Sequence, residues 1–208
     1  MDEGTYRVLP GRDEGTYRVL PGRDEGTWRF LDRETYETIA VPRDGHDAPV
    51  ADLRAGYLVD ADLDWGSEDP DVRSLSVRRP TLYAFVDAAD PIFEVAQNLW
   101  EETRAAGDGM NATQTYDTDN AVNGVCYVFA DASRPSVFDE FRTGARPLEP
   151  LVDRVNDGAE EPEPRELFAL RPPDGEYAVV TIALTKGGRF AETLRETYER
   201  PHSDEPLV

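Results

Sequence analysis

Lysine is almost missing from this chain. Lys186 is the single lysine among 22 basic residues, set against 43 acidic ones, for a formal net charge of −21 at pH 7. Cysteine is as scarce, and Cys126 alone excludes an intramolecular disulfide framework. The two histidines, His46 and His202, and Cys126 have no paired spacing, so neither a structural zinc site nor a Cys/His catalytic pair is supported. No G-x-S-x-G elbow occurs. No window approaches about 18 consecutive apolar residues, which excludes a transmembrane helix. The acidic N-terminus lacks the apolar stretch of a signal peptide. The expectation is a cytoplasmic protein without membrane contact, catalytic residues, metal or cofactor.

The acidity itself names an environment. At about 1 M salt the Debye length falls to about 3 Å, so clustered carboxylates barely repel one another. A carboxylate-rich surface stays hydrated there, where an ordinary surface associates. The composition thus points to a salt-adapted protein and leaves its reaction unnamed. With 208 residues and 39% hydrophobic content the chain can bury a core.

An internal repeat opens the sequence. Residues 2–12 read DEGTYRVLPGR, residues 13–23 repeat them unchanged, and a third, altered copy, DEGTWRFL, runs from Asp24 to Leu31. A period this short is below the roughly 20 residues of a solenoid unit. Each copy can form one strand, with Tyr6 and Val8, or Tyr17 and Val19, on one face. The expectation is a tandem duplication that leaves residues 1–23 as a frayed extension; deleting residues 2–23 then leaves the melting temperature within a few degrees.

Strand patterns follow over residues 24–87. Trp28 and Phe30 alternate with Arg29, and Tyr36–Val41 make a second strand. The clearest strand places Tyr57, Val59, Ala61, Leu63 and Trp65 on one face and Asp60, Asp62 and Asp64 on the other. With returning strands at Leu75–Val77 and Leu82–Val86, these residues suggest a small antiparallel β-barrel or sheet of OB or SH3-like type. Residues 88–200 alternate helix and strand. Helices are expected after Asp90-Pro91, Pro135 and Pro147 and from Arg189 to Glu199; strands are expected at Thr113–Thr118, Gly124–Ala130, Leu167–Leu170 and Tyr177–Thr185. The first two strands are expected to turn around Asn123-Gly124. The order suggests a two-layer, ferredoxin-like α+β sandwich, for an α+β protein overall, with residues 201–208 as tail.

Two constellations are candidate anion sites. Lys186, Gly187, Gly188 and Arg189 lie between a strand and the last helix, where backbone N–H groups and the helix N-terminus favour an anion. The spacing fits neither phosphate-loop nor dinucleotide-binding glycine patterns, and a plain strand-to-helix turn reads the same residues as well. Arg73, Arg78 and Arg79 form the second: they can bind phosphate bidentately or pair across the sheet with the aspartate row. That row runs along one strand instead of converging, so it reads as a solvated face and not as a metal site.

The stretches Gly56-Tyr57-Leu58-Val59-Asp60-Ala61, Asn123-Gly124-Val125 and Arg142-Thr143-Gly144-Ala145-Arg146-Pro147-Leu148-Glu149-Pro150-Leu151 carry a resemblance. Over about Glu25 to Pro201 the chain resembles an uncharacterised haloarchaeal family of unknown function. The resemblance implies a haloarchaeal origin and transfers no activity. The repeated N-terminus departs from the family's usual single copy. Three function classes stand. The first is a non-enzymatic binding or adaptor module for a protein partner or nucleic acid, the nucleic acid being possible without support. The second is a regulator binding a nucleotide or other small anion at Lys186–Arg189, and the third is a divergent enzyme. The adaptor is favoured, because no constellation meets the geometric needs of nucleophile, base and orienter.

Overall fold

The computed structural model describes residues 12–66, 69–132, 134–157 and 162–198. Two five-stranded sheets carry the chain. The first contains β1 (Arg12–Pro21), β2 (Thr27–Asp32), β3 (Thr38–Pro42), β4 (Leu58–Asp64) and β5 (Asp71–Arg79), in the order β3-β2-β1-β4-β5 with every pairing antiparallel. The second contains β6 (Leu82–Val86), β7 (Met110–Tyr116), β8 (Val122–Ala130), β9 (Glu166–Leu170) and β10 (Tyr177–Ala183), in the order β6-β9-β10-β8-β7. Its only parallel pairing among the described residues joins β6 to β9. Four helices complete the α+β fold: α1 (Glu94–Ala106), α2 (Val137–Thr143), α3 (Glu149–Val155) and α4 (Arg189–Thr197).

The alternation of β8, β9 and β10 sorts two cores onto the two faces of the second sheet. Cys126, Val128, Phe168, Leu170 and Val179 face α1 and α4, where Ala96, Leu99, Ala191 and Leu194 cover them. Burial pushes the Cys126 thiol up to about 12, as suits a packed core residue. Tyr127, Phe129, Leu167, Ala169, Val180 and Ile182 face the other way, into a core that Phe138, Phe141, Leu148 and Val152 share with the first sheet. One apolar cluster therefore spans both sheets, and the chain is not parted into separate cores at residue 87.

The largest correction concerns the repeat. Its first copy lies outside the described residues, but the second is the central strand of the first sheet and no extension. β1 pairs with β2 on one side and β4 on the other, and Tyr17, Arg18, Val19 and Leu20 are all at most 2% exposed. A strand paired on both edges with both faces covered cannot fray. The third copy is its hairpin partner, with Val19 opposite Phe30 and Pro21 opposite Trp28.

The expected barrel is an open sheet, with β3 and β5 as its edges among the described residues. The strand at Leu82–Val86 has left it for the second sheet, through the parallel register Leu82↔Glu166 to Val86↔Leu170. In the second sheet the expected order of helices and strands is present. A ferredoxin-like layout sets both crossing helices on one face, whereas here α1 and α4 cover one face and α2 and α3 pack on the other. The β7–β8 turn lies at Asp117–Ala121, because the Asp117 carboxylate accepts the N–H groups of Asp119 and Ala121 and Asn120 takes a left-handed conformation. Asn123-Gly124 falls inside β8, where a Cβ on Gly124 would meet Phe190 and Thr115 at 2.7 Å. Gly107 and Gly144 cap α1 and α2 in the left-handed region, as expected of helix stops.

Deleting residues 2–23 removes the central strand, and the expected outcome is loss of the cooperative thermal transition. Deleting residues 2–12 leaves one copy and a melting temperature within a few degrees of the full chain. Circular dichroism melts of both deletions check this.

Candidate functional site

A strand covered on both faces must bury whatever its sequence supplies, and β1 supplies an arginine. Arg18 is fully buried, with its Nε donating to Glu149 Oε1 of α3 at 2.6 Å and its Nη1 donating to the Gly56 carbonyl at 2.7 Å. Its guanidinium carbon lies 5.2 Å from the centroid of the Tyr83 ring, on β6. Burial lowers the pKa of such a group; electrostatic interaction with Tyr83 and with Glu149, and the hydrogen bond to Glu149, outweigh it, and Arg18 is held above its ordinary value. Burial also pushes the Tyr83 phenol up, against the opposing pull of Arg18. Arg33 extends the cluster outward, 3.8 Å from Glu149 Oε1 and 2.8 Å from Asp153 Oδ2. Glu149 Oε2 and the Tyr83 hydroxyl are buried without a hydrogen-bond partner among the described residues. The buried core of the cluster, Arg18, Glu149 and Tyr83, ties β1, α3 and β6 together, and only its outer members Arg33 and Asp153 reach solvent. The signal for it in the sequence is Leu20, which puts an apolar residue on Arg18's side of the strand. Nothing in the spacing marks Glu149 or Tyr83.

The candidate loop Lys186–Arg189 is partly closed from within. Gly187 donates its N–H to Glu166 Oε2 at 3.1 Å, and the other oxygen of that buried carboxylate pairs with Arg195 of α4. The protein's own carboxylate thus occupies the backbone donor that an external anion needs. Lys186 Nζ lies 5.9 Å over the Tyr57 ring. Gly188 precedes α4 without a side-chain cap, and Arg189 is exposed with no carboxylate partner among the described residues. These two residues line an open cleft of about 580 Å³, together with Tyr116, Asn123, Phe190 and Thr193.

The second candidate set is split by its partners. Arg73 binds Asp64 at 3.0 Å, Asp71 at 3.0 Å and Asp47 at 3.1 Å, and Arg78 lies 3.7 Å from Asp60. The pairs with Asp64 and Asp60 are the cross-strand pairs that the aspartate row invites, while Asp71 lies on Arg73's own strand and Asp47 in the loop after β3. Hydrogen bonding to Asp64 and Asp47 holds the Arg73 guanidinium above its ordinary value. Arg79 stands apart, with no ion pair among the described residues; burial first, then the nearby Arg18, lowers its pKa. Asp60 and Asp62 line an acidic groove of about 490 Å³ with Glu14 and Glu34. Among the described residues no group of three His, Cys, Asp or Glu side chains is placed to hold a metal ion.

One exposed strand departs from this charged surface. β7 reads MNATQTY, without one charge, and Met110 and Tyr116 are 46% and 53% exposed. It is the outer strand of the second sheet. The Gly109 carbonyl accepts the Ala130 N–H at 2.9 Å, so Asn111, Thr113 and Thr115 turn their backbones towards β8, and Met110, Ala112 and Gln114 turn theirs outward. On that outer side the Ala112 N–H meets, among the described residues, the Asn111 side chain, at 2.8 Å. The other edges are guarded. β3 ends in Pro42, β5 carries the paired Arg73 and Arg78, and β6 gives its Tyr83 N–H to the Ala55 carbonyl at 2.9 Å.

Residues 3–203 match a family model described as a family of unknown function, DUF6663. No curated protein and no solved structure matches the chain. No helix among the described residues is long and apolar enough to cross a membrane.

The buried cluster predicts two unequal substitutions. Glu149→Ala leaves Arg18 buried without its partner and lowers stability by about 3–5 kcal/mol. Tyr83→Phe removes a hydroxyl that has no partner and changes stability by less than about 1 kcal/mol. Urea denaturation of both variants measures the contrast.

Proposed function

The chain belongs to that family of unknown function, and on this premise we propose that it is a non-enzymatic adaptor that holds an extended segment of a protein partner along β7. The supporting observation is the edge itself. A seven-residue exposed strand free of charge is out of character on a chain of net charge −21. Adding a strand to a sheet edge takes its affinity from main-chain hydrogen bonds, and the outward groups of Met110, Ala112 and Gln114 supply donors and acceptors for it once the Asn111 side chain gives up the Ala112 N–H. Main-chain pairing and apolar contact also survive high salt, whereas charge-driven recognition is screened. The acidity suits a salt-rich cytoplasm, and the same screening explains an interface built without charge. Met110 and Tyr116 supply the side-chain contacts beside the new strand.

A second reading rests on Arg189. A cation without an ion pair among the described residues, in a cleft beside Tyr116 and Phe190, suits a small aromatic anion such as a nucleotide, with the start of α4 favouring its charge and Asp117 and Asp119 of the same cleft opposing it. Glu166 weakens that reading by taking the Gly187 N–H.

Pull-down from a native high-salt extract separates the two. The adaptor reading predicts one stoichiometric protein partner, lost at least tenfold with Ala112→Pro. This substitution removes an outward N–H from an edge strand, where proline is tolerated, so the melting temperature stays within a few degrees. Equal recovery by wild type and Ala112→Pro overturns the reading. So does co-purification of a nucleotide that disappears with Arg189→Ala.

A further inference from the structure

Resting on the adaptor reading of β7, we propose that the extended segment this edge takes is β7 of a second copy of the chain, paired antiparallel about a two-fold axis through Ala112. In that register the outward groups of Met110 face those of Gln114 in the second copy, Ala112 faces Ala112, and Gln114 faces Met110. Each facing pair exchanges two main-chain hydrogen bonds, because residues that turn outward on one copy meet residues that turn outward on the other. The second sheets of the two copies then run on as one, and each copy closes the other's open edge.

The side chains of the strand select this occupant. Asn111 and Thr113 lie on the α1 side of the sheet, beside Val128 and Cys126. In the proposed register Asn111 of one copy stands directly opposite Thr113 of the other, at the closer Cα separation, about 4.5 Å, of a pair without main-chain bonds. The Asn111 carboxamide oxygen, which accepts the Ala112 N–H at 2.8 Å in the single chain, gains the Thr113 hydroxyl there in exchange. Met110, Ala112, Gln114 and Tyr116 share the other side, where the Tyr116 hydroxyl donates to Gln114 Oε1 at 2.9 Å. Met110 and Tyr116 become diagonal neighbours across the axis, so the exposed thioether of each copy meets the exposed ring of the other. Ala112, the smallest side chain of the strand, falls on the axis itself. Charge points the same way. A net charge of −21 sets copies of this chain against one another, but β7 carries no charge. At its ends Asp108 meets Tyr116 and Asp117 meets Gly107, so neither of these carboxylates stands opposite another.

Sedimentation equilibrium of the full chain in concentrated KCl tests the pairing. Wild type is expected to form a dimer. Ala112→Pro removes the outward N–H at the axis from both copies and is expected to raise the dimer dissociation constant at least about tenfold. The register is read by mixing two single variants, Asn111→Cys and Thr113→Cys, under mild oxidation. A cross-linked dimer is expected from the mixture and from neither variant alone, because residue 111 of one copy meets residue 113 of the other. Cys126 is buried and stays out of the exchange. A wild type that remains monomeric overturns the self-pairing while leaving the adaptor reading to the pull-down, where a different protein lost with Ala112→Pro upholds that reading. A dimer as tight in Ala112→Pro as in wild type also overturns the proposal, because the copies then meet elsewhere. So does a mixture that yields no cross-link.

Discussion

The Arg18–Glu149 ion pair sits where the central strand of the first sheet, the short helix α3 and the first strand of the second sheet meet. Both side chains are closed to water, so each charge depends on the other. Everything around the pair follows from that dependence. β1 must be the strand that carries the arginine, the Ala55–Tyr57 segment must bring the Gly56 carbonyl within reach, and β6 must turn Tyr83 beneath the guanidinium. Gly56 has a φ of +94°, and a Cβ there would lie 2.4 Å from the Tyr83 backbone nitrogen, so only glycine allows this approach. A second buried pair, Glu166 with Arg195, fastens α4 to the second sheet and reaches into the loop that precedes that helix.

These two pairs explain why the arginines of so acidic a chain are not a catalogue of binding sites. Arg73 and Arg78 answer the aspartates of their own sheet, Arg195 answers a buried glutamate, and Arg171 pairs with Asp87 and Asp139. The Arg171 guanidinium holds the Asp87 carboxyl below its ordinary range. Against such a surface the uncharged edge of β7 stands out by composition and by exposure together.

Local pattern was a good guide wherever burial follows periodicity. The alternation of Val59, Ala61 and Leu63 against Asp60 and Asp64 appears as read, but Asp62, expected on the same solvated face, is buried at 7% exposure; the helical spacing of Leu148, Leu151, Val152 and Val155 marks α3. What the pattern hides is pairing over distance. Arg18 and Glu149 lie 131 residues apart, and an arginine between two apolar residues reads as a solvent-facing position. β6 looks like the end of a meander until its parallel alignment with β9 draws it into the other sheet. Repetition misled for a related reason. Two identical copies suggest that one is spare, but the chain places the second copy, and not the third alone, at the centre of a sheet. The edge strand was legible over Thr113–Tyr116, whereas Met110–Ala112 were not read as strand and Asp117 and Thr118 belong to the turn; its exposure depends on the order of strands in the sheet, which short-range spacing does not encode.

The dependence of the fold on its buried pair is tested most directly by a double-mutant cycle between the arginine and Glu149. Arg18 is replaced by Met and Glu149 by Leu. Each side alone is expected to cost about 3–5 kcal/mol in urea denaturation, and the combination to recover most of that loss, because no uncompensated charge remains buried. Additive losses, with the combined variant as unstable as the sum of its parts, would contradict a coupled pair at the junction of the two sheets.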